Sequence, residues 1–144
     1  MVDHIFVYGT LMHSIPSPMS RFLSTRSVWV GKGSLPGILL DLGRYPGLVP
    51  GQDDGPFVQG EVLQLSAFET NIAVLDEYEG TASGTDGPPE YERRLATAIL
   101  ANGASVAVWV YVFLGDPSPF PVIAGGDYLP YWQQHPAHRK FSGQ

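Results

Sequence analysis

The stretch Ile5-Phe6-Val7-Tyr8-Gly9-Thr10-Leu11-Met12 joins an apolar run to a small, flexible turn, and the rest of the chain is read outward from it. Its first four residues, all β-branched or aromatic, predict a buried strand, and Gly9 permits the sharp bend or close backbone approach that ends it. A strand that stops there delivers its next backbone N–H groups into a site. Successive unpaired N–H groups at such a turn form a concavity that holds a carboxylate or phosphate without any charged side chain. The first expectation is an anion site at Gly9 to Leu11. The alternative is that Gly9 only turns an N-terminal strand.

Around this turn lie 144 residues, enough for one domain with a real core and too few for two ordinary ones, so residues 1–144 are expected to form a single domain. Apolar residues make up 44 % of the chain, and 14 acidic against 8 basic residues give a formal charge of −6, which opposes a nucleic-acid partner. There is no cysteine, which excludes disulfides, thiol nucleophiles and thiolate metal sites. The opening Met1-Val2-Asp3-His4 lacks the basic region of a signal peptide, and the longest apolar runs fall short of a bilayer span. A soluble, cytoplasmic protein without a membrane partner is expected; the oligomeric state is not written in the sequence, with a monomer slightly favoured.

The 17 glycines and 13 prolines are spread as punctuation between apolar segments, with no repeat. Ser17 to Ser24 predicts a short helix with Ser17 as N-cap and Pro18 in its first position, its Phe22 and Leu23 docking inward. Strands are expected near Ser27 to Val30, Gly37 to Asp41 and Phe57 to Leu65, with Gly43 to Gly55 as loop or edge strand and a turn at Tyr45-Pro46-Gly47. Residues 91 to 114 predict a hairpin in which Asn102-Gly103 forms a two-residue type I′ turn. Pairing Ala101 with Ala104 then places Leu95, Thr97 and Ile99 on the core face with Val106, Val108, Val110 and Val112. The other face, with Ala96, Ala98, Ala107, Trp109 and Tyr111, is half apolar, which suggests a barrel wall or a central strand pair. A Pro-rich loop from Gly115 to Gly126 leads to a final short helix through Gln134, with Asp127 as its cap.

Ser66 to Gly80 carries the second informative pattern. Ser66 and Glu69 have capping-box spacing, and Gly80 suits a helix C-terminus. At about 100° per residue, Phe68, Ile72, Leu75 and Glu79 fall within roughly 60° of one another, Asp76 lies at the stripe's edge and Glu77 points to the opposite side. A carboxylate on the apolar stripe meets desolvation and the negative end of the helix dipole, and both raise its pKa toward the range of a general base. The competing reading is a terminal Glu79 that bends out to water or pairs with Arg93 or Arg94.

Val7-Tyr8-Gly9-Thr10-Leu11 followed by Leu75-Asp76-Glu77-Tyr78-Glu79-Gly80 resembles the γ-glutamylcyclotransferase-like superfamily, most closely its γ-glutamylamine cyclotransferase, AIG2-like branch. The similarity continues through Tyr91-Glu92-Arg93 and the strand containing Tyr111, spanning most of residues 4 to 132, with a loose match over 13 to 56. The resemblance implies an α+β fold, a small mixed β-barrel with short peripheral helices. It further implies substrate binding at Tyr8, Gly9, Thr10 and Leu11, and a catalytic glutamate at Glu79, not Glu77. In that chemistry the α-amine of a γ-glutamyl compound attacks its own γ-carbonyl, closes 5-oxoproline and expels the amine. One carboxylate moves the proton from ammonium to leaving nitrogen, so neither metal nor organic cofactor is needed. Tyr91 and Tyr111 match family positions near the pocket, yet the register above puts them on opposite faces.

The remaining reactive residues carry less. His135 and His138 have metal-like spacing but no third ligand nearby and read as surface histidines. His13 reads as a loop residue beside the turn, and Asp41 and Asp3 as a strand-end and a terminal charge. Ser14, Ser17 and Ser20 have no nucleophile motif. The alternative function is a non-catalytic module that binds a γ-glutamyl or amino-acid-like metabolite. A third reading, a vestigial pocket, requires Trp109 or Phe113 to fill the cavity. The leaving amine is expected to be read by the loops Ser14 to Ser17 and Thr81 to Pro89.

Overall fold

A computed structural model describes residues 1–80 and 89–142. In chain order the elements are β1 (His4–Val7), α1 (Pro18–Ser24), β2 (Ser27–Asp41), β3 (Pro46–Pro50), β4 (Phe57–Leu65), α2 (Phe68–Glu79), β5 (Tyr91–Leu100), β6 (Ser105–Phe113), a 3-10 turn at Ala124–Gly126, α3 (Tyr128–Gln134) and α4 (Pro136–Phe141). β1 lies between β4, antiparallel, and β6, parallel. β6 pairs with β5, and β2 pairs with both β4 and β5. The order β2-β4-β1-β6-β5 therefore closes on itself into a five-stranded mixed barrel, and β3 adds a sixth strand along β2. Closure removes the free edges that an open sheet of this size would expose.

β1 is buried on both of its faces, Ile5, Phe6 and Val7 being at most 3 % exposed, which is why its sequence is continuously apolar instead of alternating. The core around it includes Leu35, Leu39, Leu48, Val58, Val62, Val108 and Val110. α1 starts as expected: Ser17 and Ser20 form a reciprocal capping box, Pro18 occupies the first turn and Leu23 is 1 % exposed. No helix among the described residues is long and apolar enough to cross a membrane.

The strands expected at Ser27–Val30 and Gly37–Asp41 are one continuous element of 15 residues, with a register shift between Trp29 and Gly31. Gly33, which reads as punctuation, lies where β2 meets β5, and a Cβ there would stand 3.1 Å from the Ile99 carbonyl oxygen. The turn placed at Tyr45-Pro46-Gly47 comes earlier, closed by the Leu42 N–H on the Tyr45 carbonyl (3.0 Å), so Pro46 and Gly47 already belong to β3. At α2 the predicted capping box is absent. Ala67 occupies the cap position in the left-handed region (φ 42°), and the Ser66 hydroxyl donates to the Arg26 carbonyl instead. Asp127 likewise precedes α3 without a side-chain cap bond.

The hairpin differs by one residue, with large consequences. The Leu100 N–H bonds the Ala104 carbonyl (2.8 Å), so the loop holds Ala101, Asn102 and Gly103, with Gly103 at φ 90°. A loop one residue longer than the type I′ turn displaces the whole ladder, and a strand displaced by one residue exchanges its faces. Ala96 and Ala98, rather than Leu95, Thr97 and Ile99, join the β6 valines, and Leu95 is left 57 % exposed. The same displacement puts Tyr91 and Tyr111 on one face, because Tyr91 pairs with Phe113 and Arg93 with Tyr111.

Candidate functional site

The end of β1, the start of β3 and the end of α2 enclose a cavity of about 310 Å³. Its lining runs through Phe6 to Leu11, Arg44 to Pro46, Tyr78, Glu79, Glu90, Tyr91, Tyr111 and Phe141. Trp109 and Phe113 are not among these residues: the Trp109 indole donates to the Val2 carbonyl (3.1 Å), and Phe113 packs on Tyr91 and Phe120.

The turn after β1 is held open by its surroundings. A Cβ on Gly9 would lie 2.8 Å from Pro46 Cγ, so glycine is required here for close approach of β3. The Met12 N–H returns to the Gly9 carbonyl (3.0 Å), and the Thr10 carbonyl accepts from the Ser17 hydroxyl (2.6 Å). The N–H groups of Gly9, Thr10 and Leu11 donate to no acceptor among the described residues. Beyond the turn, Glu61 is 4 % exposed and accepts from the His13 N–H (2.5 Å) and the Ser14 hydroxyl (3.0 Å), tying the next loop down. This buried carboxylate on β4 has no sequence signal beyond its place within an apolar strand.

Tyr8 lines the cavity with its ring, while its hydroxyl donates to the Tyr111 carbonyl (2.7 Å). Tyr91 donates to the Pro46 carbonyl (2.8 Å). Burial pushes all three phenols, Tyr8, Tyr91 and Tyr111, well above the ordinary tyrosine range, so they serve as neutral donors. The Tyr111 hydroxyl bonds Asp76 (2.8 Å), which also forms a bidentate pair with Arg93 (2.8 and 3.1 Å). Asp76 thereby fastens α2 to the hairpin. Arg94 pairs with Glu92, so neither arginine reaches Glu79.

Glu79 is the last residue of α2 before Gly80, which closes the helix in the left-handed region (φ 75°). It is half-buried, it lines the cavity and it forms no ion pair among the described residues. Burial pushes its carboxyl up to about 8, and the Glu90 carboxylate in the same cavity adds to the rise. Glu77 is exposed, on the other side of the helix. A carboxyl at about 8 takes up and releases protons near neutral pH, which an ordinary surface glutamate does not.

Lining residues that escaped the sequence reading as site residues include Arg44, Tyr45, Glu90 and Phe141. The Tyr45 hydroxyl donates to Glu90 (2.9 and 3.0 Å to its two oxygens). No local pattern marks these residues, since the β2–β3 turn, the start of β5 and α4 meet only through long-range packing. His13 lies outside the cavity lining, exposed, edge-on to Trp29. Residues 81–88 of the loop expected to read the leaving amine lie outside the described residues. Among the described residues, no three His, Asp or Glu side chains cluster as a metal site. His138 is not a surface histidine. It is 1 % exposed and bonds Asp41 (2.8 Å) and the Tyr128 hydroxyl (2.7 Å), so Asp41 is also more than a strand-end charge.

The small mixed barrel thus brings the raised Glu79 carboxyl and the open N–H groups of Gly9 to Leu11 to one cavity. Residues 5–130 match the family described as gamma-glutamyl cyclotransferase, AIG2-like, and the chain belongs to that family. Among solved structures it is similar to the Escherichia coli protein ytfP, with 29 % identity and TM-score 0.62 over 89 % of this chain and 97 % of that one. It is also similar to an AIG2-like protein from Mus musculus, with 24 % identity and TM-score 0.65 over 88 % and 87 %. A gamma-glutamyl cyclotransferase matches with 17 % identity and TM-score 0.58 over 83 % and 68 %. The last two likenesses establish the shared fold alone. No curated protein matches the chain.

Proposed function

We propose that this protein is a γ-glutamylcyclotransferase-type enzyme, converting a γ-glutamyl amine or γ-glutamyl amino acid to 5-oxoproline and the free amine. The observation that carries the reading is Glu79, a half-buried carboxyl raised to about 8, beside the open N–H groups of Gly9 to Leu11 in one cavity. Family membership supports it. In this mechanism the substrate's α-carboxylate sits on those N–H groups, and Tyr8 shapes the cavity floor. Glu79, ionised, takes a proton from the α-ammonium. The freed amine attacks the γ-carbonyl, a C–N bond forms to close the five-membered ring, Glu79 gives its proton to the leaving nitrogen as the amide C–N bond breaks, and the ring nitrogen loses its remaining extra proton to the released amine, which departs as its ammonium ion. Because the nucleophile belongs to the substrate, the protein supplies only folding of the ligand, one proton shuttle and stabilisation of the oxyanion.

The test is incubation with γ-glutamyl amines, γ-glutamyl amino acids and glutathione, followed by measurement of 5-oxoproline. Release of 5-oxoproline with stoichiometric amine is the expected result. Tight binding of these compounds without any 5-oxoproline would replace the enzyme reading with that of a metabolite-binding module.

A further inference from the structure

Residues 131–142 lie beyond the stretch that matches the family, yet they supply part of the cavity wall. α4 is pinned to the barrel by groups that are not part of the cavity lining. His138 bridges Asp41 at the end of β2 and Tyr128 on α3, the Tyr131 hydroxyl donates to the second Asp41 oxygen, and the Trp132 indole donates to the Ser142 hydroxyl (3.0 Å). The result of this anchoring is the position of Phe141. Its ring centre lies 5.0 Å from that of Tyr45, and Tyr45 is held in turn by its bond to Glu90.

Phe141 nevertheless remains 41 % exposed, and Tyr78, also on the cavity, 43 %. Stiff aromatic rings left open at a cavity mouth gain free energy when an apolar group covers them, and their fixed rotamers lose little entropy when it does. The γ-glutamyl half of a substrate does not suit them, because its carboxylate and ammonium need the polar partners at Gly9 to Leu11 and Glu79. Charge narrows the other half further. Arg44 lies with its guanidinium 6.0 Å from the Phe141 ring and Glu90 holds Tyr45, so a singly charged amine meets a like charge as well as an opposite one.

Resting on the cyclotransferase reading above, we propose that Phe141, with Tyr45 and Tyr78, forms the wall that selects the leaving amine, and that this wall takes a neutral, aromatic side group. The C-terminal helix then acts as this chain's own specificity element, and Asp41 and His138 are positioning residues for it.

The experiment compares γ-glutamyl phenethylamide, γ-glutamyl methylamide and γ-glutamyl alanine by 5-oxoproline release, in the wild type, Phe141→Ala and Phe141→Leu. The wild type is expected to favour the phenethylamide by at least about tenfold in kcat/KM. Phe141→Ala is expected to lower the phenethyl-to-methyl ratio by about tenfold, chiefly through KM, and Phe141→Leu, which keeps apolar volume and packing, by less. A wild type that turns over the methylamide or the alanine conjugate as well as the phenethylamide overturns the proposal, whether or not the alanine variant folds. An unchanged ratio in both variants overturns it too. In either case release of 5-oxoproline leaves the cyclotransferase reading standing, whereas no release from any conjugate removes both.

Discussion

Glu79→Gln separates the proton shuttle from everything else at the site, since it keeps the side chain's shape and removes only its capacity to ionise. A carboxyl at about 8 is roughly one-tenth ionised at pH 7, so the wild-type kcat/KM should climb through the neutral range and level off above pH 8. In the glutamine variant turnover should fall by about 10² to 10⁴ at every pH, toward the upper end because one group serves both proton transfers. Stability should move the other way. Between the ordinary 4.5 and about 8 the native state binds a proton that the unfolded chain has released, so wild-type stability declines as pH rises through this window. The difference of 3.5 would be worth about 5 kcal/mol for a fully enclosed carboxyl, and solvent reaching a half-buried one through the open cavity leaves about 1–2 kcal/mol. The two proteins should therefore melt alike near pH 4.5, with the variant the more stable at pH 8. Glu77→Gln, on the exposed side, should change neither quantity. The assays are 5-oxoproline release across pH and thermal unfolding of the three proteins. A variant that keeps more than about a tenth of the wild-type rate, or melts in parallel with the wild type at both pH values, refutes the assignment.

Three other substitutions test the scaffold around this carboxyl. Asp76→Asn breaks the bidentate pair with Arg93 and weakens the Tyr111 bond, and should lower unfolding free energy by about 1–3 kcal/mol in a denaturant titration. His138→Ala removes the bridge between Asp41 and the Tyr128 hydroxyl, leaving Asp41 only Tyr131 and the Gly43 N–H, and should cost about 1–3 kcal/mol; a thermal midpoint equal to the wild type would mean the helices α3 and α4 dock by other means. Gly9→Ala places a methyl group 2.8 Å from Pro46 Cγ, so β3 must retreat from the turn, and KM for a γ-glutamyl substrate should rise severalfold; an unchanged KM would detach the turn from substrate binding.

What the sequence makes legible follows the range over which each signal is written. β1 and its glycine turn are readable because burial on both faces leaves a continuous apolar run, and the glycine follows at once. Glu79 is readable because its own helix, with Ile72 and Leu75 buried, shows that the stripe it occupies faces inward. The hairpin shows where a local signal stops short. Asn102-Gly103 suits a two-residue turn, yet a positive-φ glycine also closes the three-residue loop that forms here, and the sequence pair does not separate the two. That single residue decided whether Tyr91 and Tyr111 shared a face. β2 fails for a related reason: its glycines and proline serve close strand crossings and a bulge, which in isolation look like chain breaks. Asp41 and His138 stand 97 residues apart and neither carries any mark of the other, so a hydrogen bond to a buried histidine reads as two unrelated surface groups. The carboxyl itself divides the same way. Its placement is written in α2, but the part of its raised pKa that comes from Glu90 exists only because the strands carrying residues 46 and 91 approach the end of that helix and bring Tyr45 and Glu90 to its cavity.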